Sequence, residues 1–390
     1  MPDRPAAIDT GNAILAHLAL VGYDLENGGI SRVAIHLANG FSATGHRVTL
    51  LLCTSSGERD AAFRADLSSN VNYVALTERA ARSRALGQIT VLPRFRRWLA
   101  RERPDCVVAT ANNISWFCGA GLLAQPTVSS RLFVKTTNPI LREGDGPALT
   151  GLRRLGYDRL FARAEAVLAL SQAEAAILAR QFPARADRFR PVFNPYYTPE
   201  FAAVPASPRA RGKAPKLLAI GRLSPQKNFA RLIHAFALAR RDGGADFADA
   251  RLAIAGDGPE HDELVTLARS LGVASQIDFL GFRDDVAQLL QAADRFVLSS
   301  NYEGLPAVVI EALGSGCPVI STDCFPAASE LLDPLPACAT TARDPAALAQ
   351  AILASLALPT DPDRLHAAAL DYGVPSAVRS HLAAMDLVSP

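Results

Sequence analysis

Residues 300–311 read Ser-Asn-Tyr-Glu-Gly-Leu-Pro-Ala-Val-Val-Ile-Glu and follow an apolar, strand-like run over 295–300. Glu303 and Glu311 flank a Gly-Leu-Pro turn, and Pro306 suits the first position of a helix. The free backbone N–H groups of a helix start attract phosphate, whereas carboxylates accept hydrogen bonds from hydroxyls. The stretch therefore predicts a strand, a turn and a helix that together bind a ligand with hydroxyls and a diphosphate. Solvated acids at a helix entry are the alternative interpretation.

A second stretch supplies positive charge. Residues 217–228 read Leu-Leu-Ala-Ile-Gly-Arg-Leu-Ser-Pro-Gln-Lys-Asn, which predicts a buried strand, a turn and then a helix. Arg222 and Lys227 fall at the carboxyl end of that strand, where open α/β sheets bind their ligands. An arginine fork and a lysine ammonium suit a diphosphate. The alternative is surface charge at a helix start, although cations there oppose the helix dipole.

Strands and helices alternate along both halves of the chain. The predicted strands cover residues 13–21, 48–53, 71–76, 106–109, 127–134, 166–170, 217–220, 251–255, 277–280, 296–299 and 319–322. A proline-rich stretch without periodicity, residues 198–215, separates the two sets and predicts a linker. We therefore predict an α/β fold of two doubly wound, Rossmann-like domains that face a cleft, over residues 1–197 and 216–375.

Four motifs of the second half occur in a fixed order: Gly-Arg-Leu-Ser-Pro-Gln-Lys-Asn at 221–228, Gly-Asp-Gly-Pro at 256–259, Phe-Leu-Gly-Phe at 279–282 and the segment 303–311. Together they resemble the donor-binding half of the GT-B glycosyltransferases of the family 4 type. The first half is similar more loosely, through Gly28 and Gly29 and through Gly-His-Arg-Val at 45–48. The resemblance implies an acceptor-side first domain, a last helix over 376–390 that packs back on it, and retention of the anomeric configuration.

The resemblance also implies roles for individual residues. Glu311 would bind the ribose hydroxyls of a nucleotide, and Glu303 would contact the transferred sugar. Arg222 and Lys227 would stabilise the departing diphosphate. Further contacts to the nucleotide sugar are expected from Gly29, Gly221, Phe282, Arg283, Gly304, Leu305 and Ala307. Plain turns or packing at the sheet end are the alternatives for the glycines and for Phe282.

The first domain departs from the family at one position. Many members carry a histidine after the strand that here runs into Lys135, whereas this chain has no histidine between His46 and His234. Thr137 stands at that place. The predicted acceptor-side residues are Asn112, Lys135, Thr137 and Asn138, with Asn113 as a further candidate.

Composition and charge restrict the remaining classes. Residues 1–200 hold 24 basic and 17 acidic residues, against 16 and 21 in the rest, so the halves carry +7 and −5. A basic first half indicates that this half binds an anionic acceptor or a membrane surface. The alternative interpretation is a chance imbalance of solvated charge. The six cysteines lack metal-binding spacing and indicate free thiols in a reducing cytoplasm. The sequence has no nucleic-acid-binding module, which argues against a nucleic-acid-binding protein. No G-x-G-x-x-G follows the first strand, which argues against a nicotinamide dehydrogenase.

Two features bear on membranes. The chain has no apolar run of about 18 residues, and its first residues lack the core of a signal peptide. Residues 93–103 are basic and carry Phe95, Trp98 and Leu99 at helical spacing. This predicts either a membrane-surface face or an ordinary helix whose apolar side chains lie in the core.

We therefore expect a glycosyltransferase that uses a nucleoside-diphosphate sugar, most commonly a UDP-sugar in this family, without a tightly bound cofactor or a divalent metal. The acceptor would be a saccharide or a lipid-linked saccharide of a bacterial cell surface. The expected location is the cytoplasm, with peripheral contact at the inner membrane face as an addition. A non-catalytic sugar-nucleotide-binding subunit, and a GT-B enzyme that hydrolyses or epimerises a sugar nucleotide, are the alternatives.

Overall fold

The structure is a computed structural model that describes residues 15–26, 28–55, 60–79, 81–125, 127–141, 144–201 and 214–388. The chain divides into two compact units. The first comprises residues 1–195 and 374–390, and the second comprises residues 196–373. Most of the predicted linker, residues 202–213, lies outside the described residues. None of the described helices combines the length and the apolar character that crossing a bilayer requires.

The first unit is a parallel sheet of seven strands with helices between them, in the order β3-β2-β1-β4-β5-β6-β7. Its strands are β1 (His17–Gly22), β2 (Arg47–Leu52), β3 (Asn72–Ala75), β4 (Cys106–Ala109), β5 (Arg131–Lys135), β6 (Ala166–Ala169) and β7 (Phe189–Pro191). Its helices are α1 (Gly28–Ala43), α2 (Asp60–Ala65), α3 (Arg84–Glu102), α4 (Asn112–Leu123), α5 (Pro147–Arg163), α6 (Gln172–Gln181) and, at the end of the chain, α15 (Val374–Ala384). The strand order reverses between β1 and β4, which is the point where such sheets bind ligands.

The second unit is a parallel sheet of six strands in the order β10-β9-β8-β11-β12-β13. Its strands are β8 (Lys216–Ile220), β9 (Arg251–Ala255), β10 (Ile277–Gly281), β11 (Arg295–Leu298), β12 (Val319–Thr322) and β13 (Ala339–Thr341). Its helices are α7 (Phe229–Asp242), α8 (Gly244–Ala248), α9 (His261–Ser270), α10 (Val286–Ala292), α11 (Ala307–Gly314), α12 (Ala328–Leu332), α13 (Pro345–Leu356) and α14 (Pro362–Leu370). The two parallel α/β sheets confirm the predicted fold class.

The last helix, α15, packs on α1 of the first unit. A Cβ atom placed on Gly40 would lie 2.3 Å from Val378 Cγ2, so the two helices touch closely where α1 has a glycine. Beyond the helix, Arg131 Nη1 donates to the Met385 carbonyl (3.0 Å) and Arg190 pairs with Asp386 (2.7 Å). These contacts explain why a segment distant in sequence belongs to the first unit.

The basic stretch over 93–103 lies in α3, and its apolar side chains are core residues. Phe95, Trp98 and Leu99 are all buried, and Phe95 stacks on Phe117 with a centroid distance of 4.7 Å. The membrane-face interpretation of this stretch is therefore wrong, because the side chains that would enter a membrane fill the interior instead. The six cysteines are unpaired, as predicted, and five of them are buried.

Candidate functional site

Glycines at the carboxyl ends of β8, β9 and β10 bring the backbones of these three strands close together. Gly221 N donates to the Ala255 carbonyl (2.9 Å), and Gly256 N donates to the Gly281 carbonyl (2.7 Å). A Cβ atom on Gly256 would lie 2.0 Å from the Gly221 carbonyl oxygen, and its φ is +140°. Only glycine allows this approach of two backbones. The turn that follows β8, and with it Lys227, is thereby fixed against β9.

Lys227 and Glu303 form an ion pair at this end of the sheet. Lys227 Nζ donates to Glu303 Oε1 at 2.7 Å, and the side chains are 19% and 10% exposed. Ser300 Oγ also donates to Oε1 (2.8 Å), and Gln226 Nε2 donates to Oε2 (3.2 Å). The lysine stem runs over Gly221, where a Cβ would lie 3.0 Å from Lys227 Cε. Three donors therefore hold the Glu303 carboxylate in a fixed position.

A second group of polar side chains holds the two loops together. Asn228 caps α7 in a left-handed conformation (φ 46°), and its side chain accepts from Arg231 N. Arg231 donates to Asn301 Oδ1 (2.8 Å) and to the Ser299 carbonyl (2.7 Å). These residues were not among the predicted site residues. For Asn228, the preference of asparagine for helix N-caps was a signal in the sequence. No signal in the sequence indicates that Arg231 contacts Asn301.

Helix α11 begins directly after the loop that carries Glu303. Gly304 and Leu305 are buried, Pro306 is the N-cap, and no side chain caps the first turn that Ala307 opens. Glu311 lies one turn further along and is buried. Uncapped N–H groups at a helix start favour an anion, so the predicted arrangement of carboxylate, helix start and second carboxylate is present.

The remaining predicted residues of this unit are exposed. The Arg222 side chain is exposed and makes no hydrogen bond or ion pair to any residue that the structure describes. Phe282 is 60% exposed, and its N–H donates to Asp257 Oδ2 (3.0 Å). Arg283 binds both carboxylate oxygens of Asp285. The structure therefore brings Lys227 together with Glu303 and Gly221, whereas the side chains of Arg222, Phe282 and Arg283 are exposed.

In the first unit, three predicted acceptor-side residues lie together beyond the ends of β4 and β5. Asn112 Oδ1 accepts from Thr137 N (2.9 Å), and Asn112 Nδ2 donates to the Asn138 carbonyl (2.8 Å). All three are partly exposed, whereas Asn113 is exposed. This cluster presents amide and hydroxyl groups of the kind that bind sugar hydroxyls.

A pocket opens near the ends of β1 and β4. Tyr23, Asp24, Ser31 and Arg84 line it, with Arg84 within 3.6 Å of Asp24 and above the Tyr23 ring. The buried Ser31 hydroxyl has no hydrogen-bond partner among the described residues. Gly29 is exposed in the first turn of α1, with open space around it. Sequence reasoning missed Ser31, because a serine inside a helix carries no distinct signal.

Family comparisons decide the class of protein. The model of the family described as Glycosyl transferases group 1 matches residues 201–371, and that of the Glycosyl transferase 4-like domain matches residues 28–195. The chain belongs to the GT-B glycosyltransferases of the family 4 type. The predicted family and the predicted enzyme class are confirmed.

This glycosyltransferase is similar to proteins of bacterial surface glycan synthesis. It is 28% identical over 298 residues to the lipopolysaccharide core biosynthesis glycosyltransferase LpsE of Rhizobium meliloti, covering 76% of each chain. Among solved structures, the apo lipopolysaccharide outer core galactosyltransferase WaaB superposes with a TM-score of 0.72 at 18% identity (95% and 99% covered). Anabaena HepE in complex with UDP-glucose superposes with a TM-score of 0.69 at 19% identity (96% of each chain). These superpositions show the fold.

Lys135 of this glycosyltransferase does not lie where an acceptor could contact it. Its side chain is 1% exposed inside the first unit, and Nζ lies 2.7 Å from Nε2 of His381 on α15. Nδ1 of His381 lies 2.8 Å from the Ala377 carbonyl, so a proton on Nδ1 leaves Nε2 to accept from the lysine. The prediction of Lys135 as an acceptor-side residue is therefore wrong, because an interior amine cannot contact a ligand.

Burial changes the titration of this interior group. It lowers the pKa of Lys135 to about 7, although the nearby Glu174 carboxylate acts in the opposite direction. Burial also lowers the pKa of His381 well below its ordinary value, with the charge of Lys135 adding to the effect. Burial raises the pKa of Glu174, which accepts from Leu170 N at 2.6 Å.

The stability of the protein should consequently depend on pH through Lys135. Above pH 7 the folded protein loses this proton, whereas the unfolded chain keeps it up to about pH 10.4. The free energy of unfolding should therefore rise with pH in this window, by up to about 1.4 kcal/mol per pH unit. Lys135→Met should remove this contribution. Urea unfolding of both proteins across the window checks the prediction, and equal slopes would contradict it.

Proposed function

We propose that this glycosyltransferase moves a sugar from a nucleoside-diphosphate sugar to an acceptor hydroxyl, with retention of the anomeric configuration. The observation that carries the proposal is the Lys227–Glu303 ion pair beside the uncapped start of α11, with Glu311 buried further along that helix. A cation, free backbone N–H groups and two carboxylates are the groups that a diphosphate joined to two sugars requires.

The donor would place its diphosphate at Lys227 and the first turn of α11, with exposed Arg222 as a second cation. Glu311 would bind the ribose, and Glu303 the transferred sugar. Gly221, Gly304, Leu305 and Ala307 would allow close backbone approach, and Phe282 and Arg283 would contact the base. We propose a UDP-sugar, since HepE, a structural neighbour, is seen with UDP-glucose.

Transfer would break the bond between the sugar and the diphosphate oxygen, and form a bond from the acceptor oxygen to the same carbon on the same face. Negative charge then grows on the departing diphosphate, and Lys227 and Arg222 stabilise it. Such placed donors can contribute on the order of 10²–10³ in rate each. The departing phosphate takes the acceptor proton. Before the donor binds, the Glu303 carboxylate keeps the Lys227 ammonium oriented at 2.7 Å.

Asn112, Thr137 and Asn138 are proposed to contact the acceptor, together with groups of the pocket that Ser31 and Arg84 line. We propose an acceptor saccharide, lipid-linked or growing, in the synthesis of a bacterial cell-surface polysaccharide or lipopolysaccharide. Its support is the likeness to LpsE along three quarters of the chain. The reaction would take place in the cytoplasm at the inner membrane face.

The test is a transfer assay with labelled UDP-, GDP- and ADP-sugars, each with and without a bacterial lipid-linked oligosaccharide or lipopolysaccharide core as acceptor. We expect release of nucleoside diphosphate from one donor only when acceptor is present, with the label moving to the acceptor. Product with the same anomeric configuration as the donor supports retention. Release at the same rate without acceptor would indicate hydrolysis and contradict the proposal, as would binding without turnover of any donor.

A further inference from the structure

Helix α5 turns an apolar face away from the unit that it belongs to. Of its 17 residues, only Leu160 and Phe161 are buried. Leu149, Leu152 and Leu155 are 43%, 68% and 50% exposed. At 100° per residue, Leu152 lies 180° and Leu155 lies 120° from Phe161 around the helix axis, so both point away from the buried side chain. An amphipathic helix normally places such side chains in the core, so this face needs another partner.

Positive charge continues the same face. Arg159 and Arg163 follow Leu155 at spacings of four residues, and they too are exposed. Neither makes an ion pair or a hydrogen bond to another described residue, and the same holds for Arg154. The helix has one acid, Asp158, which lies on the flank and is paired with Arg185 (3.2 Å). The outward face is therefore apolar in its first half and cationic in its second.

An aromatic side chain of α4 extends the surface. Trp116 is 43% exposed and meets Tyr157 of α5 edge to face, with ring centroids 5.5 Å apart. Its ring lies against Gly156, where an added Cβ would be 3.0 Å from Trp116 Cη2. Tryptophan with one wet side is typical of positions at a membrane–water interface.

We infer that this face, formed by Trp116, Leu149, Leu152, Leu155, Arg159 and Arg163, binds an anionic lipid surface. Leucine and tryptophan side chains would enter the region between headgroups and acyl chains, and the unpaired guanidinium groups would meet the phosphates. A lipid surface fits better than a folded protein partner, because the residues of the face include two cations and no acid. The inference deepens the proposed function, since a lipid-linked acceptor lies at such a surface.

The test is co-sedimentation of the full chain with vesicles of phosphatidylcholine alone and of equal parts phosphatidylcholine and phosphatidylglycerol, without donor or acceptor. We expect binding to the anionic vesicles and weaker binding at high salt. The double variant Leu152→Ser/Leu155→Ser should bind the anionic vesicles at least about tenfold more weakly than the wild type. The double variant Arg159→Gln/Arg163→Gln should lose the preference for anionic vesicles. The assay needs no turnover, so its failure is separate from failure of the proposed function.

The matched control is Leu358→Ser/Leu370→Ser, which replaces two exposed leucines of the second unit (52% and 50%, against 68% and 50% for Leu152 and Leu155) and should bind like the wild type. Circular dichroism and melting confirm that each variant is folded. Absence of vesicle binding by the wild type would overturn the inference, as would an equal loss in the control. A concentration-dependent dimer that the leucine variant abolishes, without vesicle binding, would show a second copy as the occupant and overturn it too.

Discussion

Lys227→Met is expected to lower the turnover of the nucleotide sugar by about 10²–10³. The substitution keeps the apolar stem that covers Gly221 and removes the only side-chain cation in contact with Glu303 among the described residues. On the proposed mechanism, the charge that develops on the departing diphosphate then loses one of its two stabilising cations. Initial rates with saturating acceptor give the comparison, and single-turnover rates separate chemistry from product release.

The control for this variant lies on the same strand. Lys216 is exposed at the opposite end of β8 from Gly221, and its side chain can be changed to methionine in the same way. Lys216→Met should turn over like the wild type. Glu303 in the Lys227 variant keeps its bonds from Ser300 and Gln226, so the fold should be retained and melting should show it. A folded Lys227→Met protein with full activity would remove the diphosphate assignment.

Gly256→Ala is expected to destabilise the protein by roughly 3 kcal/mol or more. The new Cβ would lie 2.0 Å from the Gly221 carbonyl oxygen, which is backbone and cannot rotate away. The φ of +140° adds strain for any residue with a side chain. If the fold survives by moving the turn after β8, Lys227 moves with it, and turnover should fall as well. Urea unfolding and the transfer assay measure the two effects.

Gly272→Ala separates backbone strain from the steric clash. Gly272 also has a positive φ (+71°), but nothing lies within 4 Å of its added Cβ. Gly272→Ala should lower the free energy of unfolding by only about 1–2 kcal/mol, and it should leave the activity unchanged. Equal destabilisation by the two substitutions would show that the close approach of the strands contributes nothing beyond φ.

The strand, turn and helix around Glu303 could be predicted because each signal is local. Apolar runs gave the central strands, and the proline marked the start of α11. The edge strands β7 and β13 were missed because they have three residues each, and β7 ends in a proline.

Contacts between distant residues could not be predicted from one sequence. Lys135 was interpreted as an acceptor contact because it lies beside Thr137, which stands where many family members carry a histidine. Its partner His381 lies 246 residues later in the chain. The partnership of Arg231 with Asn301 spans 70 residues in the same way. The three leucines of α5 have the spacing of a core face, and only the structure shows that they face outward.

Titration calorimetry of UDP with the wild type, Lys227→Met and Lys216→Met tests most directly whether the second unit binds a nucleoside diphosphate at the Lys227–Glu303 pair. We predict saturable binding to the wild type and to Lys216→Met, and binding weaker by about tenfold or more in Lys227→Met. Equal affinity of all three proteins, or no binding of UDP, GDP or ADP to the wild type, would contradict the account.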